Sequence, residues 1–90
     1  MTNEKLCREV IEFAREFLVE SQHIADGSLN DGEPLFSAGT LSSIALVELV
    51  LKLEERFGIS ISARDVSVDN FDSLEIIARY VAARLTEEAG

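Results

Sequence analysis

Residues 35–57 read LFSAGTLSSIALVELVLKLEERF, and the reading of this stretch decides the fold. A glycine turn at Gly39 leads into Ser42 and Ser43, after which apolar residues recur at helical spacing. Ile44, Val47 and Leu51 lie on one line and Leu46, Val50, Leu53 and Phe57 on the next, the pattern of an amphipathic helix with a wide buried stripe. Ser42 is placed to cap this helix, because its hydroxyl can accept from a free backbone N–H of the first turn. Ser43 then falls in that first turn, facing solvent. A primary hydroxyl there is open to another enzyme, and the positive end of the helix favours a phosphate attached to it. Gly58 is placed to close the helix.

Working outward, the chain before this stretch is helical over about 3–20, with Leu6, Val10, Phe13, Phe17 and Leu18 as its apolar stripe. Glu4, Glu9, Glu12, Glu16 and Arg15 cover its outside, and Thr2 or Asn3 can cap it. A long connection over about 21–41 is punctuated by Asp26-Gly27-Ser28, Asn30-Asp31-Gly32 and Pro34. A loop of that length in a small domain needs anchors or a function, and Ile24, Leu29, Leu35 and Phe36 supply apolar anchors. The central helix occupies about 42–57. Ile59-Ser60-Ile61 alternates like a strand but has no second strand to pair with, so it reads as a connector with both isoleucines in the core. A short helix or turn follows over about 62–68, with Ser62 as a possible cap and Val66 and Val68 facing inward. The last helix runs over about 72–85, capped by Asp72 or Ser73, with Leu74, Ile77, Ala78, Val81 and Leu85 on its apolar face. The tail Thr86 to Gly90 is expected to fray. The fold class is therefore all-α, a four-helix bundle of three long helices and one short one with a long first loop, all within a single domain spanning 1–90.

Composition narrows the function. A formal net charge of −9 over 90 residues repels nucleic-acid phosphates and favours encounter with basic protein surfaces. One cysteine, Cys7, cannot form an internal disulfide, which suits a reducing compartment. The N-terminus carries charges where a signal peptide needs an apolar run, and no run reaches membrane-spanning length, so the cytoplasm is the expected location, with no membrane insertion. With one histidine, His23, no nucleophile–base–orienter set can be assembled, and the many carboxylates are spread over helix faces as solvated surface. Cys7 reads as a small, partly buried apolar residue and His23 as a loop residue. The acidic loop does not make a calcium-binding hand: counted from Asp26, the glycine arrives one place late at Gly32 and the twelfth position is Ser37. No metal site is expected.

The residues now quoted, taken in order, resemble the attachment segment of acyl and peptidyl carrier proteins. In that family a Leu-Phe pair and a glycine precede an Asp-Ser-Leu triplet, followed by a helix with Glu-Leu-Val that ends in Glu-Glu-x-Phe-Gly. Here Leu35-Phe36, Gly39, Ser42-Ser43-Ile44, Glu48-Leu49-Val50 and Glu54-Glu55-Arg56-Phe57-Gly58 fill those places. The resemblance continues through Ile59-Ser60-Ile61, Asn70-Phe71 and Ile76-Ile77-Ala78-Arg79-Tyr80-Val81, covering about Glu33 to Leu85. One departure is Ser42, where the family usually has Asp; the cap survives the change but a negative charge is lost. Asp72-Ser73-Leu74 spells the family triplet literally, yet lacks the Leu-Phe and glycine approach and the Glu-Leu-Val helix, so Asp72 or Ser73 is read as a helix cap.

The resemblance implies that Ser43 carries 4′-phosphopantetheine, transferred from coenzyme A by a phosphopantetheinyl transferase. The arm then holds an acyl or aminoacyl group as a thioester and presents it to loading and downstream ligase or synthase enzymes, while the protein, a monomer, performs no catalysis. It also implies docking through the central helix. Glu48, Glu54 and Glu55 are the acidic contacts, Ser42 lies beside the site, and Ile44 and Leu51, with Leu46, are the apolar contacts; the bland alternative for the glutamates is an ordinary solvated face. Lys52, Arg56 and Ala45 make the helix less acidic than in housekeeping fatty-acid carriers, which points to a dedicated partner. The spacing Leu-Phe-x-x-Gly-x-Leu-x-Ser resembles discrete D-alanine-type or specialised carriers. The competing reading is an unmodified helical interaction protein of the same fold, in which Ser42-Ser43 serves only as a cap.

Overall fold

A computed structural model describes residues 3–24 and 29–89. Among the described residues four α-helices follow one another: α1, Asn3–Gln22; α2, Ser43–Phe57; α3, Val68–Phe71; and α4, Leu74–Ala89. A single 3₁₀ turn, Ala63–Asp65, precedes α3. Among the described residues there is no strand, and Ile59-Ser60-Ile61 is the extended connector expected, with both isoleucines buried.

α1 packs most extensively on α4 and also on α2, while α3 packs on α4. The core between them is made by Val10, Ala14 and Leu18 from α1, Leu49 and Leu53 from α2, Phe71 from α3, and Leu74, Ile77 and Val81 from α4. Phe13 meets Phe57 edge-on, with ring centroids 5.8 Å apart, closing the far end of the α1–α2 contact. The long first loop is held as its composition suggests: Leu29 and Leu35 are buried, and Ile24 and Phe36 lie half-buried against the core. Polar links reinforce it. Arg15 forms an ion pair with Asp31, and its Nε donates to the carbonyl of Leu29 at 3.2 Å. Arg15 thus ties the loop to α1 instead of simply covering the outside of the helix.

Several expectations need correction. Ile44, Val47 and Leu51 do not belong to the buried stripe of α2; they are 71%, 52% and 59% exposed. At about 100° of turn per residue these three cluster on one side, while Ala45, Leu46, Leu49, Val50 and Leu53 centre roughly 150° away. A helix with neighbours on one side can bury only one of these sets, and the larger set wins. The short third element is not one helix over 62–68 but the 3₁₀ turn and then α3. Ser62 makes no side-chain cap there, and Val68 is 41% exposed instead of inward, leaving Val66 and Phe71 to fill that corner. α1 continues to Gln22, and α4 continues to Ala89, past the expected end at 85. Thr86, placed in a fraying tail, lies within α4 and donates its hydroxyl proton to the carbonyl of Ala82 at 2.9 Å. The expected caps at Thr2 and Asn3 lie outside the described side chains, and Asp26-Gly27-Ser28 lies outside the described residues.

Candidate functional site

The two serines before α2 are sorted by their hydrogen bonds. Ser42 has extended backbone (φ −91°, ψ 170°), and its hydroxyl accepts from the N–H of Ala45 at 3.4 Å. It is the N-cap, so replacing the family's usual Asp keeps the function of that position and removes its charge. Ser43 is the first helical residue, exposed, and its hydroxyl has no hydrogen bond among the described residues. Ser73, the serine of the literal triplet, is only 5% exposed, and its hydroxyl accepts from the N–H of Ile76 at 3.1 Å. Ser73 therefore caps α4 and points away from solvent. The approach to Ser43 is a tight turn: Gly39 has φ 83°, and its N–H donates to the carbonyl of Phe36 at 3.1 Å.

The electrostatics at this helix start suit an anion. The first N–H groups of a helix lack intrahelical partners, and the aligned peptide dipoles put partial positive charge there. The first turn of α2 holds no acidic side chain. A phosphodiester on the Ser43 oxygen would meet unpaired donors and no opposing carboxylate within that turn, so the residues present fit a phosphate-linked group.

The exposed line Ile44, Val47 and Leu51 runs from beside Ser43 along α2, and Glu48 and Glu55 lie beside it, both exposed. The structure does not bring every expected partner residue to this face. Leu46 is 6% exposed and belongs to the core. Glu54 is half-buried, and its Oε2 accepts from the N–H of Ile61 at 2.7 Å, bracing the connector after α2. Val47, not singled out among the docking residues, joins the line. The two cations of α2 are engaged by neighbours: Lys52 lies 3.5 Å from Glu55, and the Arg56 guanidinium sits 4.9 Å from the Phe57 ring centroid.

A further residue was not legible as part of the site. Asp72 does not cap α4. Its Oδ1 accepts from the backbone N–H groups of Leu35, Phe36 and Ser37 at 3.2, 2.8 and 3.0 Å, and its Oδ2 accepts from the Ser37 hydroxyl at 2.7 Å. The Ser37 hydroxyl and then the Ser37 N–H hold this carboxyl below its usual range; desolvation opposes them less strongly, and the N–H groups of Phe36 and Leu35 add smaller lowering effects. Nothing local signals this bond, because the partners are 35–37 residues away; the only oddity in the sequence is the literal triplet itself.

The sequence matches the family defined by the phosphopantetheine attachment site over residues 12–81. The chain belongs to that family. It is similar to the D-alanyl carrier protein of Streptococcus sanguinis, with 36% identity over 73 residues, covering 81% of this chain and 86% of that protein. The D-alanyl carrier proteins of Streptococcus gordonii and Streptococcus thermophilus match it at the same identity and over the same extents. The chain is thus a carrier protein that bears an acyl or aminoacyl group on a covalently attached 4′-phosphopantetheine. The terminal thiol of that arm supplies the chemistry, taking its cargo as a thioester. Membership implies dealings with a phosphopantetheinyl transferase and with ligases or synthases. No helix of the described residues is long and apolar enough to cross a membrane. Among those residues, no group of three or more His, Cys, Asp or Glu side chains comes together as a metal site.

Proposed function

We propose that Ser43 is the residue esterified with 4′-phosphopantetheine. The observation that carries this reading is the contrast among three serines: Ser43 is exposed with an unengaged hydroxyl, while Ser42 and Ser73 are occupied as helix caps. Ser43 offers the oxygen, the helix start favours the phosphate, and Ser42 holds the first turn in place.

The cargo we propose is a small aminoacyl group of the D-alanyl kind, supported by the likeness to the streptococcal D-alanyl carriers. Partner enzymes dock on the outer face of α2, over Ile44, Val47 and Leu51, with Ser42 at one end and Glu48 and Glu55 meeting basic residues. Glu54 contributes by bracing the end of α2 more than by direct contact. The chain works in the cytoplasm as one monomeric carrier domain over 1–90 and performs no catalysis itself. Supporting the last point, Cys7 lies in the first turns of α1 and His23 follows its last residue, Gln22, so the helix between them, roughly 22 Å at 1.5 Å per residue, keeps them too far apart to act as a pair.

The test is the intact mass of the protein before and after incubation with coenzyme A and a broad-specificity phosphopantetheinyl transferase. Ser42→Ala, Ser43→Ala and Ser73→Ala are run beside the wild type. One phosphopantetheine should be gained by every protein except Ser43→Ala. A gain lost only in Ser73→Ala would overturn the assignment. No gain at all, with a transferase active on a control carrier, would favour the unmodified interaction protein.

A further inference from the structure

We infer that Asp72 is a positioning residue for the modification of Ser43: its carboxylate latches the loop over 35–41 onto the start of α4 and so presents the serine to the transferase. This rests on the assignment of Ser43 made above. Three consecutive backbone N–H groups, of Leu35, Phe36 and Ser37, converge on a single carboxylate oxygen, and the Ser37 hydroxyl takes the other oxygen. The N–H of Leu35 also donates to the backbone carbonyl of Asp72 at 2.6 Å. A run of successive amides of this kind forms a concave anion site, here filled by the chain's own carboxylate.

The latch is coupled to Ser43 through the loop itself. The N–H of Leu41 donates to the carbonyl of Leu35 at 2.9 Å, and that of Gly39 to the carbonyl of Phe36 at 3.1 Å, so residues 35–41 close on themselves. Ser42, the next residue, caps α2, and Ser43 follows it. Leu35 and Leu41 are buried beneath this ring, but apolar contacts are non-directional and do not set the orientation of the exposed segment above them. Without the carboxylate, the amides of Phe36 and Ser37 turn to water, that of Leu35 keeps only the backbone carbonyl of Asp72, and the loop samples other arrangements. The transferase then meets a competent conformation only part of the time, which raises its apparent dissociation constant by the reciprocal of that fraction and leaves the chemical step alone.

Ser73 provides the control. It neighbours Asp72 in sequence and stabilises the same helix start, but its hydroxyl bonds Ile76 and makes no hydrogen bond to the loop among the described residues. The experiment measures transferase kinetics with coenzyme A on the apo forms of the wild type, Asp72→Ala, Asp72→Asn and Ser73→Ala, each checked for folding by circular dichroism. Asp72→Ala should raise KM for the carrier about tenfold with kcat within about twofold, as a tenfold drop in the competent fraction requires. Asp72→Asn keeps an oxygen acceptor and should bring KM back to within about threefold of wild type. Ser73→Ala should lower the melting temperature with KM unchanged. A purely structural Asp72 would raise KM only in step with lost stability, so equal effects of Asp72→Ala and Ser73→Ala overturn the proposal, as does an Asp72→Asn no better than Asp72→Ala. Should Asp72→Ala fail to fold, the comparison of Asp72→Asn with Ser73→Ala decides: a KM above wild type in the first alone supports the latch, and equal values refute it. If wild type accepts no arm on Ser43, the assignment of Ser43 fails and this inference with it; a modified wild type with an indifferent Asp72 removes only the latch.

Discussion

Truncating the outer line of α2 separates docking from folding. Ile44, Val47 and Leu51 are 71%, 52% and 59% exposed, whereas Leu49 on the same helix is fully buried. Complete burial of a side chain of this size is worth ~1.5–3 kcal/mol, and between half and three-quarters of each of the three is still in water. A partner that covers them therefore gains about 1 kcal/mol from the atoms that alanine would remove, roughly fivefold in affinity per residue. The cost to folding should be small, within about 0.5 kcal/mol for each exposed truncation, against ~2–5 kcal/mol for Leu49→Ala. Urea unfolding followed by circular dichroism gives the stability of each variant. KM for the apo-carrier in the transferase reaction gives docking, with the loading ligase as a second partner once identified. Ile44→Ala, Val47→Ala and Leu51→Ala should unfold like wild type and dock more weakly. If Leu51→Ala or Ile44→Ala loses as much stability as Leu49→Ala, the assignment of faces on α2 is wrong. If the three variants combined leave KM unchanged, the transferase does not use this face.

Acid should loosen the latch at Asp72. Its folded pKa lies below the unfolded value, so its contribution to stability is fully present above the unfolded pKa and is lost as pH falls through the folded one. The gap in unfolding free energy between wild type and Asp72→Asn should shrink as urea titrations descend from about pH 6 to pH 2; a constant gap would contradict the bonding described. At the other end of α2, Gly58 has φ 67°, and a Cβ there would meet nothing within 4 Å, so Gly58→Ala incurs backbone strain alone. That strain, ~1–2 kcal/mol, is partly offset by a stiffer unfolded chain, leaving a loss of about 1 kcal/mol. Gly32→Ala, whose Cβ would lie 3.7 Å from Glu75 Oε1 at an ordinary φ, should be neutral or slightly stabilising. Equal chemical-denaturation midpoints for the two alanines would refute the left-handed cap.

The three long helices and the bounds of α2 were legible because they depend on near neighbours. Ser42 capping α2 through Ala45, Gly58 closing it onto the carbonyl of Glu54, and the apolar spacing of α1 and α4 all operate within one or two turns. The short third element and the far end of α4 were less so. A four-residue helix has too few turns for periodicity to speak, and the last turn of α4 contains nothing that clearly stops a helix. The anchoring of the first loop by Leu29 and Leu35 was also readable, since apolar residues in an otherwise polar connection have few other places to go.

By itself, then, the sequence determined an all-helical carrier, with a serine at the start of its central helix and a loop that must fold back on the bundle. The physical reason is that caps, turns and amphipathic periods are local, and the order of motifs marks the family. Tertiary structure alone decided which of two apolar lines on α2 enters the core, because both have helical spacing and only the packing of α2 into the bundle, against α1, chooses between them. It also decided that Ser73 is buried, that Glu54 braces the connector, and that Asp72 holds the loop leading to Ser43. Each of these depends on groups brought together by packing, in the case of Asp72 from 35–37 positions away, a distance over which sequence patterns carry no geometric information.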